Sequence, residues 1–415
     1  MRYVYIRTVK CCDHCSRESW FQIVVVRFRF YLATQQTIDV SLRMPKRPRS
    51  VTPPPAGAKK AVVTPASPSP KAAASPLKQT RHASPSVKDF KIDPEIPMTS
   101  EGVIYHLGCK AEDLADNIVL VGDPGRVPKV SAYFDKNSVN FKASHREIVI
   151  HTGTYKGVRM SVLSTGMGTD NIEIVMNEIH ALKEYDVQTA EWRTMAAGKK
   201  KAPVPKVNLI RVGTCGCPQG DVEIGTLAVT RFAIGMDNTC QYYVGNKPSA
   251  AVQALDKLAN DKKTGLGEVG VYASASSPIV QEAILESAKA CSKRRKAIAG
   301  ITASGSGFYG CQGREVGRFK GRIRIPDLVD RLGALRLPAK VAGTKEDQRV
   351  VNIEMENSAI CFLSDILGYR AATVCAVIAT RNKEHRAFAT PDQAASAIAD
   401  GIVTALDALV ILDAK

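Results

Sequence analysis

Residues 207–214 read Val-Asn-Leu-Ile-Arg-Val-Gly-Thr, and the organisation of the chain can be worked out from this run. Its aliphatic and β-branched residues predict a buried strand over 207–212 that ends at a glycine and a threonine. Similar runs alternate with helical stretches from Val103 to the C-terminus. This alternation predicts an α/β fold, a three-layer α/β/α sandwich around a central mixed, mostly parallel sheet.

The predicted elements follow one another closely. Strands are expected at 118–121, 158–163, 207–212, 226–229, 350–353 and 372–378. Helices are expected at 171–184, 278–291, 354–366 and 392–412. Ligands of such sheets bind at the carboxyl ends of strands, so the polar residues that follow the strands are candidates for a functional site.

Two arginines near strand ends are candidate anion ligands. Residues 122–126 read Gly-Asp-Pro-Gly-Arg, a turn whose glycines let backbone N–H groups approach an anion while Arg126 donates to it. The alternative is an ordinary turn with a surface arginine. Arg211 lies inside a buried strand, so it must meet either a structural carboxylate or a ligand anion. Thr214 adds a hydroxyl at the end of that strand.

Residues 308–316, Phe-Tyr-Gly-Cys-Gln-Gly-Arg-Glu-Val, suit a planar heterocycle. Phe308 can stack on a ring, the amide of Gln312 both donates and accepts, and Arg314 donates in a fixed fork. The edge of uracil offers an acceptor, a donor and an acceptor, which these groups can satisfy. Glu354 and Glu356 can accept hydrogen bonds from ribose hydroxyls; the alternative is a favourable charge at a helix start.

These segments together resemble the uridine phosphorylase branch of the nucleoside phosphorylase superfamily. The resemblance runs from Val103 to the C-terminus and rests on residues 122–126, 144–146 (Ser-His-Arg), 209–214, 308–314 and 352–356 (Asn-Ile-Glu-Met-Glu). It implies reversible phosphorolysis of uridine, and of deoxyuridine, to uracil and (deoxy)ribose 1-phosphate in pyrimidine salvage. Inorganic phosphate is then a co-substrate, and neither a cofactor nor a metal ion is expected.

The resemblance also implies a role for each candidate residue. The phosphate ligands are expected to be Gly122, Arg126, Arg146, Arg211 and Thr214. The nucleoside ligands are expected to be His106, Phe308, Gln312, Arg314, Glu354, Met355 and Glu356. The groups that stabilise charge during the reaction are expected to be Arg211, Thr214, Gln312, Arg314 and Arg381. His106 and Arg146 are implied to reach across a subunit interface, which makes a homodimer, or a higher homo-oligomer, the functional unit.

Two alternative functions stay open. A purine nucleoside phosphorylase or a nucleosidase would belong to the same superfamily. The resemblance implies that purine-cleaving members usually carry an acid after the strand matching 372–378, where this chain reads Ile-Ala-Thr-Arg over 378–381. The phosphate candidates argue against a water-using nucleosidase. A nucleic-acid-binding protein is an alternative of another class, because the net charge is +17.

The positive charge is unevenly distributed. Residues 1–98 carry 17 Lys and Arg against 6 Asp and Glu, and residues 189–206 carry five against one. We therefore predict a basic, largely disordered extension over 1–98 and a phosphorylase domain over 99–415 with a basic loop insertion at 189–206. Met44 offers a second start, which leaves open whether residues 1–43 belong to the mature protein. The proline-rich part of the extension lacks aromatic residues that could stack on bases, so nucleic-acid binding is not expected.

Cysteine usage and hydropathy favour a cytoplasmic protein without a membrane span. The chain has 11 cysteines, irregularly spaced, and no secretory signal, which favours reduced thiols. Residues 11–15, Cys-Cys-Asp-His-Cys, resemble half of a zinc site but have no second pair of ligands. The longest apolar run recognised, 21–32, is broken by two arginines and is shorter than the ~20 residues that span a bilayer.

Overall fold

The computed structural model describes residues 93–195, 202–262, 264–290, 296–381 and 386–415. The chain divides into two units, Met1–His82 and Ala83–Lys415, and every described residue belongs to the second. Most of the predicted extension, with the cysteine motif at 11–15, lies outside the described residues.

The second unit alternates strands with helices. Its strands are β1 (Asn117–Val121), β2 (Phe141–His145), β3 (Ile148–Tyr155), β4 (Val158–Ser164), β5 (Tyr185–Asp186), β6 (Glu191–Trp192), β7 (Asn208–Cys217), β8 (Leu227–Met236), β9 (Tyr272–Ala275), β10 (Ala297–Gly305), β11 (Arg336–Leu337), β12 (Gln348–Glu354), β13 (Arg370–Arg381) and β14 (Arg386–Phe388). Its α-helices are α1 (Val127–Ser131), α2 (Thr169–Glu184), α3 (Ala250–Ala259), α4 (Pro278–Ala290), α5 (Leu328–Ala334), α6 (Ala339–Ala342), α7 (Asn357–Leu367) and α8 (Pro391–Asp413).

Twelve of these strands form one mixed sheet in the order β11-β12-β10-β8-β13-β7-β1-β4-β3-β2, with β14 beside β13 and β9 beside β8. β4, β1, β7 and β13 run parallel, so their carboxyl ends share one edge. β8, β10 and β12 are parallel to one another, while β8 is antiparallel to β13. An antiparallel bridge from Ile353 to Gly216 joins β12 back to β7. β7, β13, β8, β10 and β12 therefore close into a ring, which brings the end of β12 against β7.

Helices cover both faces of the sheet around β1. Ile118 and Leu120 belong to a core cluster that includes residues of α2 and α7. The alternating residues Val119 and Val121 belong to a second cluster that includes residues of α1, α4 and α8. A strand buried on both faces explains why β1 reads as a continuous apolar run.

The structure confirms a mixed α/β protein with a central mixed sheet, and each predicted strand and helix overlaps an observed one. The three-layer description stays a prediction. The helix expected from 354 begins only at Asn357, because Glu354 still belongs to β12. β10 lies outside the predicted pattern, since its alanines and glycines carry little of the β-branched signal.

The first part of the predicted loop at 189–206 packs against the domain. Trp192 in β6 stacks on the ring of His180, with ring centroids 4.7 Å apart, and its Nε1 donates to Asp93 over 3.1 Å. The Tyr185 hydroxyl accepts from the Asp93 backbone N–H over 2.9 Å. This hairpin therefore holds the chain that leads into the domain. It lies at the amino end of β7, whereas the candidate site lies at the carboxyl end.

One helix departs from the expectation that no long apolar segment exists. α8 is long and apolar enough to cross a membrane, with a mean hydropathy of 1.9 over its most apolar window. Ile402, Leu406 and Leu409 on this helix are buried in the second core cluster. α8 does not stand out as an apolar run in the sequence because aspartates interrupt it at intervals. Its packing is that of a helix in a protein core.

Candidate active site

Arg211 lies in the middle of β7 and is 5% exposed. Its Nη1 lies 3.2 Å from Oε2 of Glu354, and its Nη2 donates to Oε2 of Glu356. Burial lowers the pKa of the Arg211 guanidinium, but the charges of Glu356 and Glu354 outweigh burial and the net shift is upward. The sequence left two alternatives for Arg211, a structural carboxylate or a ligand anion. The structure shows carboxylate partners, and both belong to residues expected to bind ribose.

The carboxylates of Glu354 and Glu356 differ in how many further hydrogen bonds they can accept. The Glu354 side chain is fully buried, forms an ion pair with Arg211, and accepts from Ser304 and from the backbone N–H groups of Glu356 and Asn357. Glu356 accepts only from Arg211 and, over 2.8 Å, from the N–H of Gly168, among the described residues. Each carboxylate oxygen can accept about two hydrogen bonds, so Glu356 retains room for hydroxyl donors while Glu354 does not.

This difference separates the expected roles of the two glutamates. Burial raises the pKa of Glu354, Arg211 lowers it and repulsion by Glu356 raises it again, with a net upward shift. Glu354 therefore orients Arg211 and the first turn of α7. Glu356 is the better candidate for a ribose ligand. Met355, between them, is half-buried.

Gly213 provides the space that the Arg211 guanidinium occupies. A Cβ at Gly213 would lie 2.2 Å from Nη1 of Arg211 and 2.9 Å from Sγ of Cys375. Nη1 donates to that sulfur over 3.4 Å. The glycine is thus required for the side chain of Arg211 to fold back along its own strand.

We expect Gly213→Ala to displace the Arg211 guanidinium and to weaken both of its ion pairs. The expected loss of unfolding free energy is roughly 1–3 kcal/mol, as for other overpacked core positions. Gly401→Ala is the matched control, because its Cβ would meet Val212 and Leu227 at 3.6 and 3.7 Å, an ordinary contact, within α8. Urea unfolding of both variants measures the difference; equal stability would contradict the crowding seen at Gly213.

The turn at 122–126 lies beside Arg211. Arg126 donates from Nη1 to the backbone oxygen of Val212 over 3.1 Å, and the Asp123 side chain accepts from the N–H of Gly125 over 2.8 Å. Burial lowers the pKa of Arg126, and the neighbouring charge of Arg211 lowers it further. Two guanidinium groups that repel each other at a strand end favour the binding of an anion between them. The hydroxyl of Thr214, half-buried on β7, has no hydrogen-bond partner among the described residues and is free to join them.

A second glycine turn, which the sequence analysis missed, completes this end of the site. Residues 164–169 read Ser-Thr-Gly-Met-Gly-Thr and link β4 to α2. Gly166 and Gly168 adopt φ angles of 77° and 95°, which favour glycine. Gly168 donates to Glu356, and a Cβ on Gly122 would lie 3.3 Å from the backbone oxygen of Gly166. The signal was available in the sequence as a glycine-rich turn between a strand and a helix.

A second group forms around Gln312, which is 6% exposed. Its Oε1 accepts from Arg314 Nη2 over 3.0 Å, and its backbone oxygen accepts from Arg381 Nη2 over 3.1 Å. The Arg314 guanidinium lies over the ring of Phe308, 4.2 Å from the centroid, and 5.8 Å from that of Phe388. The structure thus brings together all the residues expected to bind the base.

The electrostatics of this second group are strongly positive. Burial and, to a smaller extent, the charges of Arg314 and Arg386 together lower the pKa of Arg381 to about 10. The Nε atom of Arg381 is buried without a hydrogen-bond partner. The guanidinium groups of Arg314, Arg381 and Arg386 lie close together and have unused hydrogen-bond donors. They suit a ligand whose edge accepts hydrogen bonds or gains negative charge.

His106 and Arg146 form a third group. The His106 Nδ1 lies 2.5 Å from Oε1 of Glu178, and Arg146 donates to the Tyr105 hydroxyl over 3.1 Å. Arg146 is exposed in the β2–β3 turn with a φ of 54°, an uncommon conformation for a residue other than glycine. Within the described part of the chain, no hydrogen bond or ion pair links these side chains to Arg126, Arg211 or Gln312.

A metal centre is not apparent among the described residues. No group of three or more His, Cys, Asp or Glu side chains in the described ranges could hold a metal ion. The seven cysteines that lie in those ranges are free thiols, six of them buried. The site is therefore built from guanidinium, amide and carboxylate groups.

Comparisons with known proteins identify the family of the chain. A sequence profile of the phosphorylase superfamily matches residues 116–408. Uridine phosphorylase from Thermococcus kodakarensis is 32% identical over 292 residues, which is 70% of this chain and 82% of that protein. A DeoD-type purine nucleoside phosphorylase from Geobacillus sp. (strain WCH70) is 37% identical over 161 residues, 39% of this chain and 59% of that protein.

A solved structure extends the similarity to three dimensions. The Trypanosoma brucei nucleoside phosphorylase, described as showing uridine phosphorylase activity, superimposes with a TM-score of 0.71 at 43% sequence identity. The match covers 76% of this chain and 99% of that one. The chain belongs to the phosphorylase superfamily.

Proposed function

We propose that the protein is a uridine phosphorylase, which converts uridine and phosphate reversibly to uracil and ribose 1-phosphate. The observation that carries this proposal is the arrangement of Gln312, Arg314 and Arg381, joined by direct hydrogen bonds at the strand ends. The amide Nε2 of Gln312 and the guanidiniums can donate to O2 and O4 of uracil. Oε1 of Gln312 already accepts from Nε and Nη2 of Arg314, so it would accept from N3–H in place of one of these donors.

The pair formed by Arg211 and Glu356 supports a reaction between a ribose-containing substrate and phosphate. Arg211, Arg126, Thr214 and the N–H groups of the turn at Gly122 would hold phosphate. Glu356 would accept from the 2′ and 3′ hydroxyls, with Met355 packed on the sugar. One ion pair thus fixes the two reactants relative to each other, which lowers the entropic cost of their reaction.

The chemistry follows from these positions. A phosphate oxygen attacks C1′ as the C1′–N1 bond breaks, and the bonding electron pair leaves with uracil. Positive charge develops on the sugar and is stabilised by the adjacent phosphate. Negative charge develops on the uracil oxygens and is stabilised by the Gln312 and Arg314 donors, with Arg381 near O4, until uracil takes up a proton. No protein nucleophile and no cofactor are needed for this sequence of steps.

The purine alternative is not favoured. The family resemblance implies an acid after this strand in purine-cleaving members, whereas here residues 378–381 hold no acid and Arg381 donates to the base loop. A direct test is the purified protein with phosphate and either uridine or inosine, followed by absorbance. Turnover of uridine with little turnover of inosine is expected; the reverse preference would overturn the assignment.

We further propose a cytoplasmic homodimer with shared sites, built on a three-layer domain that starts near residue 99. The exposed Arg146 and the half-buried His106 are separate from the other two groups within one chain, as expected if they serve the neighbouring subunit. Arg146 would contact the neighbour's phosphate and His106 the 5′ hydroxyl. In a two-fold dimer each interface residue acts in the partner's site.

Subunit mixing tests the shared site. Arg146→Ala and Arg126→Ala proteins are each expected to be nearly inactive alone. In a mixed dimer one site carries both defects and the other carries neither, so random mixing should restore about a quarter of wild-type activity. Uridine turnover after verified subunit exchange is the measurement. Absence of complementation would mean that Arg146 acts within its own chain or has no role.

A further inference from the structure

A cavity of about 470 Å³ lies beside the base-recognition loop, at the carboxyl ends of β8 and β10. Met236 and Ser306, which end or follow those strands, line one side, and Gly310 and Cys311 form another. None of the residues assigned above to phosphate, ribose or base lines it. Its volume lies within the usual range for small-molecule sites, about 300–1,000 Å³.

The mouth of this cavity is positively charged. Arg322 and Arg324 line it, and neither forms an ion pair with a carboxylate among the described residues. They belong to a segment, 314–324, that carries five arginines or lysines and only Glu315 as an acid. The Glu315 carboxylate accepts from the N–H of Gly321 over 2.6 Å, which turns it toward the backbone of its own loop.

The interior offers both polar and apolar contacts. The Asn238 amide and the Ser306 hydroxyl are exposed and have no side-chain hydrogen bond within the described residues. Asp237 is already satisfied by the Tyr272 and Ser358 hydroxyls, at 3.0 Å each, and by the N–H of Thr239. Ile325 and Leu328 supply an apolar wall. The cavity therefore combines free cationic donors with neutral hydrogen-bonding groups and an apolar surface.

We propose that this cavity binds a nucleoside 5′-monophosphate at a site separate from the substrate site. Two unpaired guanidiniums match a phosphate dianion, since arginine donates to phosphate in pairs. Inorganic phosphate would fill only a small part of the volume. A sugar and a base would use the remaining space, with Asn238 and Ser306 as hydrogen-bonding partners and Ile325 and Leu328 as the apolar contact.

Binding is measured by calorimetry with uridine 5′-monophosphate, adenosine 5′-monophosphate and inorganic phosphate as separate probes. We expect the double variant Arg322→Ala/Arg324→Ala to weaken monophosphate binding by about tenfold or more, as for lost charge-assisted hydrogen bonds. The matched control is Arg318→Ala/Lys320→Ala, which removes two exposed charges from the same segment outside the cavity. This control should leave the affinity within about twofold, because distant exposed charges are screened.

Three results would overturn the proposal. One is equal weakening in both double variants, and another is binding that is lost in Gln312→Ala but retained in Arg322→Ala/Arg324→Ala. The third is inorganic phosphate that binds as tightly as either monophosphate and loses that binding in Arg322→Ala/Arg324→Ala, since phosphate bound at Arg126 and Arg211 is unaffected by this variant. The absence of any monophosphate binding to the wild-type protein would overturn it as well. Calorimetry measures monophosphate binding and requires no turnover. A protein that does not cleave uridine can therefore be distinguished from one that does not bind a monophosphate in this cavity.

Discussion

Arg211→Met is expected to abolish phosphorolysis and to lower the free energy of unfolding by about 3–5 kcal/mol. Methionine fills a similar volume but leaves the buried carboxylates of Glu354 and Glu356 without their cation. Carboxylates that lose a counterion in the protein interior take up protons or draw in water, and both outcomes destabilise the fold. The phosphate site loses one of its guanidiniums at the same time.

The matched control applies the same substitution to an exposed ion pair. Arg349 donates to both oxygens of Asp221 at 2.7 Å, and both side chains are partly exposed. Arg349→Met should cost only about 0–1 kcal/mol. Urea unfolding and uridine turnover are measured for both variants. If Arg211→Met were as stable and as active as Arg349→Met, Arg211 would have neither role.

Gln312→Ala and Arg314→Ala are each expected to reduce kcat/KM for uridine by roughly 2–4 kcal/mol of transition-state stabilisation, about 30- to 1,000-fold. In the proposed site, the donors of both residues would face the edge of uracil where negative charge develops. Because Oε1 of Gln312 also orients the Arg314 guanidinium, the two effects should not add in the double variant.

The exposed Arg318, in the same segment, supplies the control for general charge loss. Arg318→Ala should change kcat/KM little, since its side chain makes no contact with Gln312 or Phe308 among the described residues. Steady-state kinetics of the single variants and of the double variant provide the comparison. Wild-type kcat/KM in both single variants would remove Gln312 and Arg314 from the site.

The sequence predicted the strands that end in site residues, because strands buried on both faces leave a continuous apolar signal. It could not predict which partner Arg211 would meet. That partner comes from a strand more than a hundred residues later in the chain, and it reaches Arg211 only because β12 bridges back to β7. Ring closure of this kind is a property of the whole sheet and leaves no local pattern.

Other features were missed for local reasons. β10 carries alanines and glycines where a strand signal needs branched side chains. The turn at 165–168 has a clear glycine pattern, but its link to Glu356 depends on the tertiary fold. Glu354 and Glu356 differ in how many further hydrogen bonds they can accept. This difference is visible only in the three-dimensional structure, because the two residues look equivalent in an alternating Glu-Met-Glu run.

The basic insertion shows what composition leaves out. Its lysines predict an exposed loop, and its first part is held by Trp192, which contacts His180 and Asp93, and by Thr194, which donates to Glu184. A single aromatic residue contributes little to a composition average but can bury a large area. The position of the insertion at the amino end of β7 agrees with the expectation that it has no part in the chemistry.

The most direct test of the account is the phosphate dependence of uridine cleavage, followed by ³¹P NMR. The account predicts that ribose 1-phosphate appears in step with uracil when phosphate is present, and that uracil release stops when phosphate is withheld. Uracil release without phosphate, with free ribose as the product, would contradict it.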